Sequence, residues 1–365
     1  MRRRWHAAVA AITVAIVWTG AAGMAQAATW HLHPGQSIQA AVNHASPGDV
    51  IKLAPGNYHQ NVTIQKNRIT LIGSGWGQHG TRLLPGKHPT PSPCTDPSGV
   101  NGICVAGQFD SSGNLAAPVH GTRIRNLSVH GFSAFGIVLF NANDSTVSHV
   151  LAGQNKAYGI SGFVLSGVTF THNVARFNGE PGFYIGDSPH ANATVAWNRS
   201  VANGVGGPEG IGFLFRDSSW GKVWGNTAVG NCAGMVFVDT GEDPLPATHW
   251  TAWSNQSNAN NGSCVGEQGG APPLSGIGIT LFGASHSVLM DNVALGNRPT
   301  GPSVFSGGII VASSIPAGGA DPVGNLIKGN TAHNNSPFDI LYDGSGSGNT
   351  FTGNHCDTSD PGSIC

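Results

Sequence analysis

The chain has 365 residues, a formal net charge of −1 and only 10% charged residues, so it lacks the basic surface that nucleic acid or an anionic membrane requires. A length of this order ordinarily means two domains, unless the chain is a repeat protein whose units pack only on their neighbours. Its six cysteines are an even set that an oxidising compartment would pair.

In chain order, Arg2, Arg3 and Arg4 precede an apolar run from Ala7 to Ala22, and Ala25-Gln26-Ala27 supplies a small-x-small cleavage pattern. These features predict a signal peptide over residues 1–27, a secreted mature protein starting at Ala28, and no membrane anchor. Ser37 is the predicted N-cap of a short helix that places Ile38, Ala41, Val42 and Ala45 on one face and ends at Pro47-Gly48-Asp49. Such a helix would cover the bare strand edges of a first coil. Val50-Ile51-Lys52-Leu53, the turn Pro55-Gly56-Asn57-Tyr58, Val62-Thr63-Ile64 and Ile69-Thr70-Leu71-Ile72 are the first expected strands.

From about Gly121 a phrase NxAxxN repeats, with Ala or Ser third. It is complete at Asn173/Ala175/Asn178, Asn198/Ser200/Asn203, Asn226/Ala228/Asn231, Asn255/Ser257/Asn260, Asn292/Ala294/Asn297 and Asn330/Ala332/Asn335. Successive complete copies lie between 25 and 38 residues apart, so the longer steps are expected to carry loops inserted at one corner, beginning near Gly204, Asp239, Gly262 and Ala312. Each copy also has a glycine-led strand of alternating apolar residues, such as Gly182-Phe183-Tyr184-Ile185, Gly212-Phe213-Leu214-Phe215 and Gly234-Met235-Val236-Phe237. Short strands with no intervening amphipathic helix predict an all-β fold. It is a single-stranded right-handed parallel β-helix, a solenoid with a short N-terminal capping helix, in one domain over 28–365. Residues 28–120 form the cap and first coils, and 121–365 the repeat coils. Stacked asparagines should form a hydrogen-bonded ladder. The same register makes Cys232–Cys264 a cross-coil pair, and Cys94–Cys104 and Cys356–Cys365, which bracket one loop and the C-terminal tail, complete the expected disulfides.

The phrases Ser37-Ile38-Gln39-Ala40-Ala41-Val42, Gly48-Asp49-Val50-Ile51 and Ala54-Pro55-Gly56-Asn57-Tyr58 resemble the N-terminal cap of the pectin-lyase-like β-helix superfamily. The NxAxxN copies resemble its generic repeats, so the resemblance covers nearly all of the mature chain. It implies the fold, and it implies lyases, hydrolases, esterases, epimerases and non-enzymatic surface proteins alike.

Aligned strands put Asp187, Asp217 and Asp239 five residues past Gly182, Gly212 and Gly234. Three carboxylates at coil spacing would hold Ca²⁺ or divide acid and base roles across a glycosidic bond. Equally, Asp followed by Ser or Thr is an ordinary strand-ending turn. Arg216, Tyr184, His190, Glu209 and Glu242 flank the row. Tyr184 to His190 is loosely similar to the Tyr-x-x-Asp-Pro-His motif of alginate epimerases, broken by Ser188; that resemblance implies Tyr184 and His190 as acid and base supported by Asp187. Trp224 and Trp253 share a repeat position and are candidate sugar platforms. The outward strand residues Val138, Tyr184, Leu214, Val236 and Ile310 are too apolar, and Arg216 too solitary, for a pectate-lyase groove. His31 and His33 offer two imidazoles on one strand face, short of a complete metal site. The expected function is binding of an extracellular polysaccharide by a secreted monomer, with or without cleavage or modification. A non-catalytic adhesion module and a metal-accessory protein are the alternatives.

Overall fold

A computed structural model describes residues 27–94, 99–242, 246–267 and 272–365; the expected signal peptide, apart from Ala27, lies outside them. Nearly every strand pairs in parallel with the strand one coil before and one coil after it. Each coil runs through three strands, which stack into three faces. The first face comprises Phe183–Ser188, the start of Ile211–Trp224, Ala233–Val238, Ile277–Phe282 and Gly307–Ala312. The second takes Ala193–Ala196, the end of Ile211–Trp224, Thr248–Trp253 and Val288–Met290. The third takes Arg199–Val201, Thr227–Val229, Gln256–Asn258 and Val293–Leu295.

Alternation sends one set of first-face residues into the bore. Phe183 stacks on Phe213 and Phe215 on Phe237, each pair with centroids 4.7 Å apart, and Trp250 closes on Phe215 at 4.5 Å. Both asparagines of each complete repeat sit at corners and all but Asn335 are buried. The first ladder runs Asn173 to Asn354, each Nδ2 donating to the next Oδ1 at 2.9–3.1 Å. A second runs Asn155 to Asn335 at 2.8–3.2 Å. The residue before each first-ladder asparagine turns the corner in the left-handed region: Trp197 at φ 58°, Ser254 at 52° and Asp291 at 52°, with Gly225 and Gly329 sparing the side-chain strain in other coils.

The cap forms as expected. The helix Ile38–His44 buries Ile38, Ala41 and Val42, and the Ser37 hydroxyl accepts from the Ala40 amide at 3.0 Å. All three disulfides pair as the sequence predicts: Cys94–Cys104, Cys232–Cys264 and Cys356–Cys365.

The inserted loops depart from the sequence reading. They do not leave from one corner but from both ends of the first-face strands. At the entering end the loop 204–210, the segments 261–267 and 272–275, and the loop 298–306 form a stacked wall, with Gly206 N donating to Ser263 O at 3.0 Å, Val265 N to Gly207 O at 3.1 Å and Val304 N to Pro273 O at 3.1 Å. At the leaving end the loops following Asp239 and Ser313 pack so closely that a Cβ on Gly319 would lie 2.0 Å from the Asp239 carbonyl oxygen. A corner is the only place where extra chain leaves the ladder intact, and each coil has two corners flanking this face.

Candidate functional site

Because loops rise on both flanks, the outward residues of the first face are covered. Tyr184, Leu214, Val236 and Ile310 are buried together with Ile211, Ile277 and Leu274 in a second apolar layer outside the bore. Each fully buried aliphatic side chain there contributes about 2 kcal/mol of transfer free energy, which a bare outward strand would forgo. Between the flanks the layer opens into a cleft of about 510 Å³, floored by Leu214, Val236, Ile277 and Phe282. Tyr158 stacks on Tyr184 at 5.0 Å, and Phe282 meets Phe305 edge-on at 5.0 Å.

The polar groups of the cleft come from coil ends and loops. Arg216, the last outward residue of its strand, donates through Nε to Asp217 at 3.0 Å and Thr240 at 3.3 Å, and through a terminal nitrogen to Glu242. Asp217 is fully buried at a left-handed turn (φ 47°) and also accepts from the Thr240 amide at 2.7 Å and hydroxyl at 2.5 Å. Asp187 occupies the equivalent turn one coil earlier (φ 52°). Burial raises its pKa, and the Glu242 charge raises it further. Asp187, Asp217 and Glu242 bring carboxylate oxygens within 4.8 Å of one another. Asp239 shares their register but not their cluster: its carboxylate accepts from the Gly241 and Ala247 amides of its own loop at 2.9 and 3.4 Å. As for Ca²⁺, the donor set has the right chemistry, but the Arg216 guanidinium already bridges Asp217 and Glu242 and supplies the positive charge there.

Tyr184 lies across its own strand: a Cβ on Gly186 would come within 2.0 Å of the phenol oxygen. Burial pushes the phenols of Tyr184 and Tyr158 far above their ordinary value. His190 is exposed on the following turn and does not line the cleft. Trp224 and Trp253 come together on the second face, away from the cleft, with centroids 4.9 Å apart and planes 7° apart. Each indole therefore covers a face of the other and presents mainly its edge outward. His31 and His33 are exposed and join neither of the two three-ligand clusters found among the described residues. The other cluster, His333, Asp339 and Asp357, is built around an Asp339 carboxylate already filled by Asn335, Asp357 and Thr358.

Glu209 stands in the entering wall, on the loop that the Cys232–Cys264 disulfide pins: Gly210 N donates to Cys264 Sγ at 3.0 Å. Burial pushes its pKa up to about 7, with Arg216 pulling it down and Glu267 pushing it up. A carboxyl in that range holds a proton for part of the time at neutral pH and can donate it. The sequence reading passed over Tyr158 and Glu180, which line the same cleft. A signal for Glu180 existed, since it precedes its strand glycine by two residues much as Glu209 precedes Gly212 by three.

Comparison with known proteins agrees with the architecture. A family model described as the right handed beta helix region matches residues 56–246, more than half of the chain. No curated protein sequence matches. Among solved structures, the Dettilon tailspike protein aligns at TM-score 0.58 and 16% identity over 90% of this chain, which spans 58% of the tailspike. The A-module of Azotobacter vinelandii mannuronan C-5 epimerase AlgE4 aligns at TM-score 0.50 and 16% identity, over 89% of this chain and 92% of the module. The DFA-IIIase of Arthrobacter chlorophenolicus A6 aligns at TM-score 0.50 and 13% identity, over 84% of each chain. At these identities the likeness is one of fold.

Proposed function

The chain belongs to the right-handed β-helix family, and within it we propose that this member is exported, binds an extracellular polysaccharide in the cleft over its first face, and acts on the bound chain through the cleft carboxylates. The observation that carries this reading is the cleft itself, an apolar floor of about 510 Å³ onto which Arg216, Glu209, Glu242 and Glu267 converge from separate coils and loops. Sugar rings bring C–H faces to such a floor and hydroxyls to such acceptors. In this reading Glu209 is the proton donor and Arg216 orients the Asp217 and Glu242 carboxylates. Export is supported by the three disulfides, which belong to an oxidising compartment. Among the described residues no helix is long and apolar enough to cross a membrane. One of the solved neighbours, the mannuronan C-5 epimerase module, is a polysaccharide-acting enzyme by name.

The test is a screen for reducing ends and unsaturated products over pectins, alginates, glucans and host glycans, with and without Ca²⁺. Product that disappears in Glu209→Gln supports the reading. Binding without product at any pH reduces the protein to a binding module. If no glycan is bound or altered, the reading falls.

A further inference from the structure

Resting on that reading of the cleft, we propose that its ligand is an uncharged glycan bearing methyl groups, of the N-acetyl or 6-deoxy kind, and that uronate chains are excluded. The floor is the first reason. Leu214, Val236, Ile277 and Phe282 present only carbon to the ligand, with Phe305 edge-on at one end. A methyl substituent gains most from such a surface, while a carboxylate placed on it would lose its hydration with nothing in exchange.

The charge balance is the second. Among the described residues, four glutamates line the cleft, at positions 180, 209, 242 and 267, against one cation, Arg216. Its charge is already paired, with Nε donating to Asp217 and Thr240 and one terminal nitrogen to Glu242. A polyuronate would bring one more negative charge per sugar into a cleft whose one cation among the described residues already faces two carboxylates. Uncharged hydroxyls, in contrast, donate to carboxylates without penalty, and each carboxylate accepts several. The Arg216 bridge also closes the cluster through which a Ca²⁺ ion would otherwise recruit a uronate.

Three β-1,4-linked probes of one backbone geometry separate the contributions: N-acetyl chito-oligosaccharides, cello-oligosaccharides and oligoglucuronates, measured by calorimetry and extended on a glycan array. The expected order is methyl-bearing first, plain glucan weaker, and uronate at least tenfold weaker still. Raising the salt should narrow the gap to the uronate, because screening weakens repulsion. In the double variant Glu209→Gln/Glu267→Gln, uronate affinity should rise about tenfold relative to that of the uncharged ligands, which themselves lose two carboxylate acceptors; Glu242→Gln, at an exposed side chain, gives the same direction if the double variant does not fold. Tight uronate binding by the unmodified protein, with or without Ca²⁺, overturns this inference and leaves the polysaccharide reading standing, as does a preference for ammonium-bearing chitosan fragments. An array on which nothing binds overturns both.

Discussion

Two rows of polar side chains run along this solenoid at coil spacing, and only one is a ladder. The corner asparagines bond to each other without a break from Asn173 to Asn354. The aspartates at 187, 217 and 239 stand in equally good register, yet no carboxylate in the row bonds to the next. An amide both donates and accepts, so identical copies satisfy one another indefinitely. A carboxylate only accepts, so each must find its own donor. Asp217 takes Arg216 and Thr240, Asp239 takes the amides of its loop, and Asp187 is left with a raised pKa. Repetition of an amide therefore marks structure, whereas repetition of a carboxylate forces the surroundings to differ from coil to coil.

The contrast breaks most severely if the two chemistries are exchanged within the ladder. Asn226 donates to Asn255 Oδ1 at 3.0 Å and Val195 O at 2.8 Å, and accepts from Asn198. Asn226→Asp keeps the shape but sets a carboxylate oxygen against Val195 O and Asn255 Oδ1, leaves the latter only the backbone amide of residue 226, and buries a charge, so a loss of about 4 kcal/mol is expected in chemical denaturation. The reverse exchange is milder. Asp217→Asn leaves the carbonyl for the Thr240 amide but weakens the charged bond to Arg216, for an expected loss of about 2 kcal/mol. Binding should weaken as well, because Arg216 then keeps Glu242 as its one carboxylate partner. An unchanged melting temperature would mean that Asp217 is not held as described.

The third test uses pH. The Glu209 pKa is raised to about 7 in the folded state from an ordinary value near 4.5. A raised carboxyl binds more protons folded than unfolded, so the stability it permits is fully present below about 4.5 and declines as pH rises towards 7. Melting temperatures across that window should flatten in Glu209→Gln. The smallest effect belongs to Asp187→Asn. It removes a partly buried carboxyl whose charged form is already disfavoured, so stability should stay within about 0.5 kcal/mol of the parent or rise slightly.

Period was the property legible in the sequence. Coil register, the ladder, the cap helix at Ser37 and the three disulfides all follow from positions that recur or from short-range spacing. The inserted loops do not recur, so the sequence showed where they begin but not that they rise on both flanks. That is why Leu214 and Val236, outward in register, are buried in one layer with Leu274 of an inserted loop, while Tyr184 is covered by Tyr158 and Phe163 of the coil before. It is also why Glu242 meets Asp217 where the spacing suggested Asp239. The same holds for the indoles: shared register brings Trp224 and Trp253 together, but only their packing shows that they cover each other.

The unequal coil lengths have a mechanical consequence. Ladder neighbours are separated by 24 residues in one coil and 38 in another, and each coil is held to the next by its own set of bonds. Stretched from its termini with the disulfides reduced, the molecule should give way one coil at a time. At about 3.5 Å of extended chain per residue, the released lengths should range from about 85 Å for the short coil to about 130 Å for the long one. A force–extension trace would then record the order of the loops as a series of short and long steps.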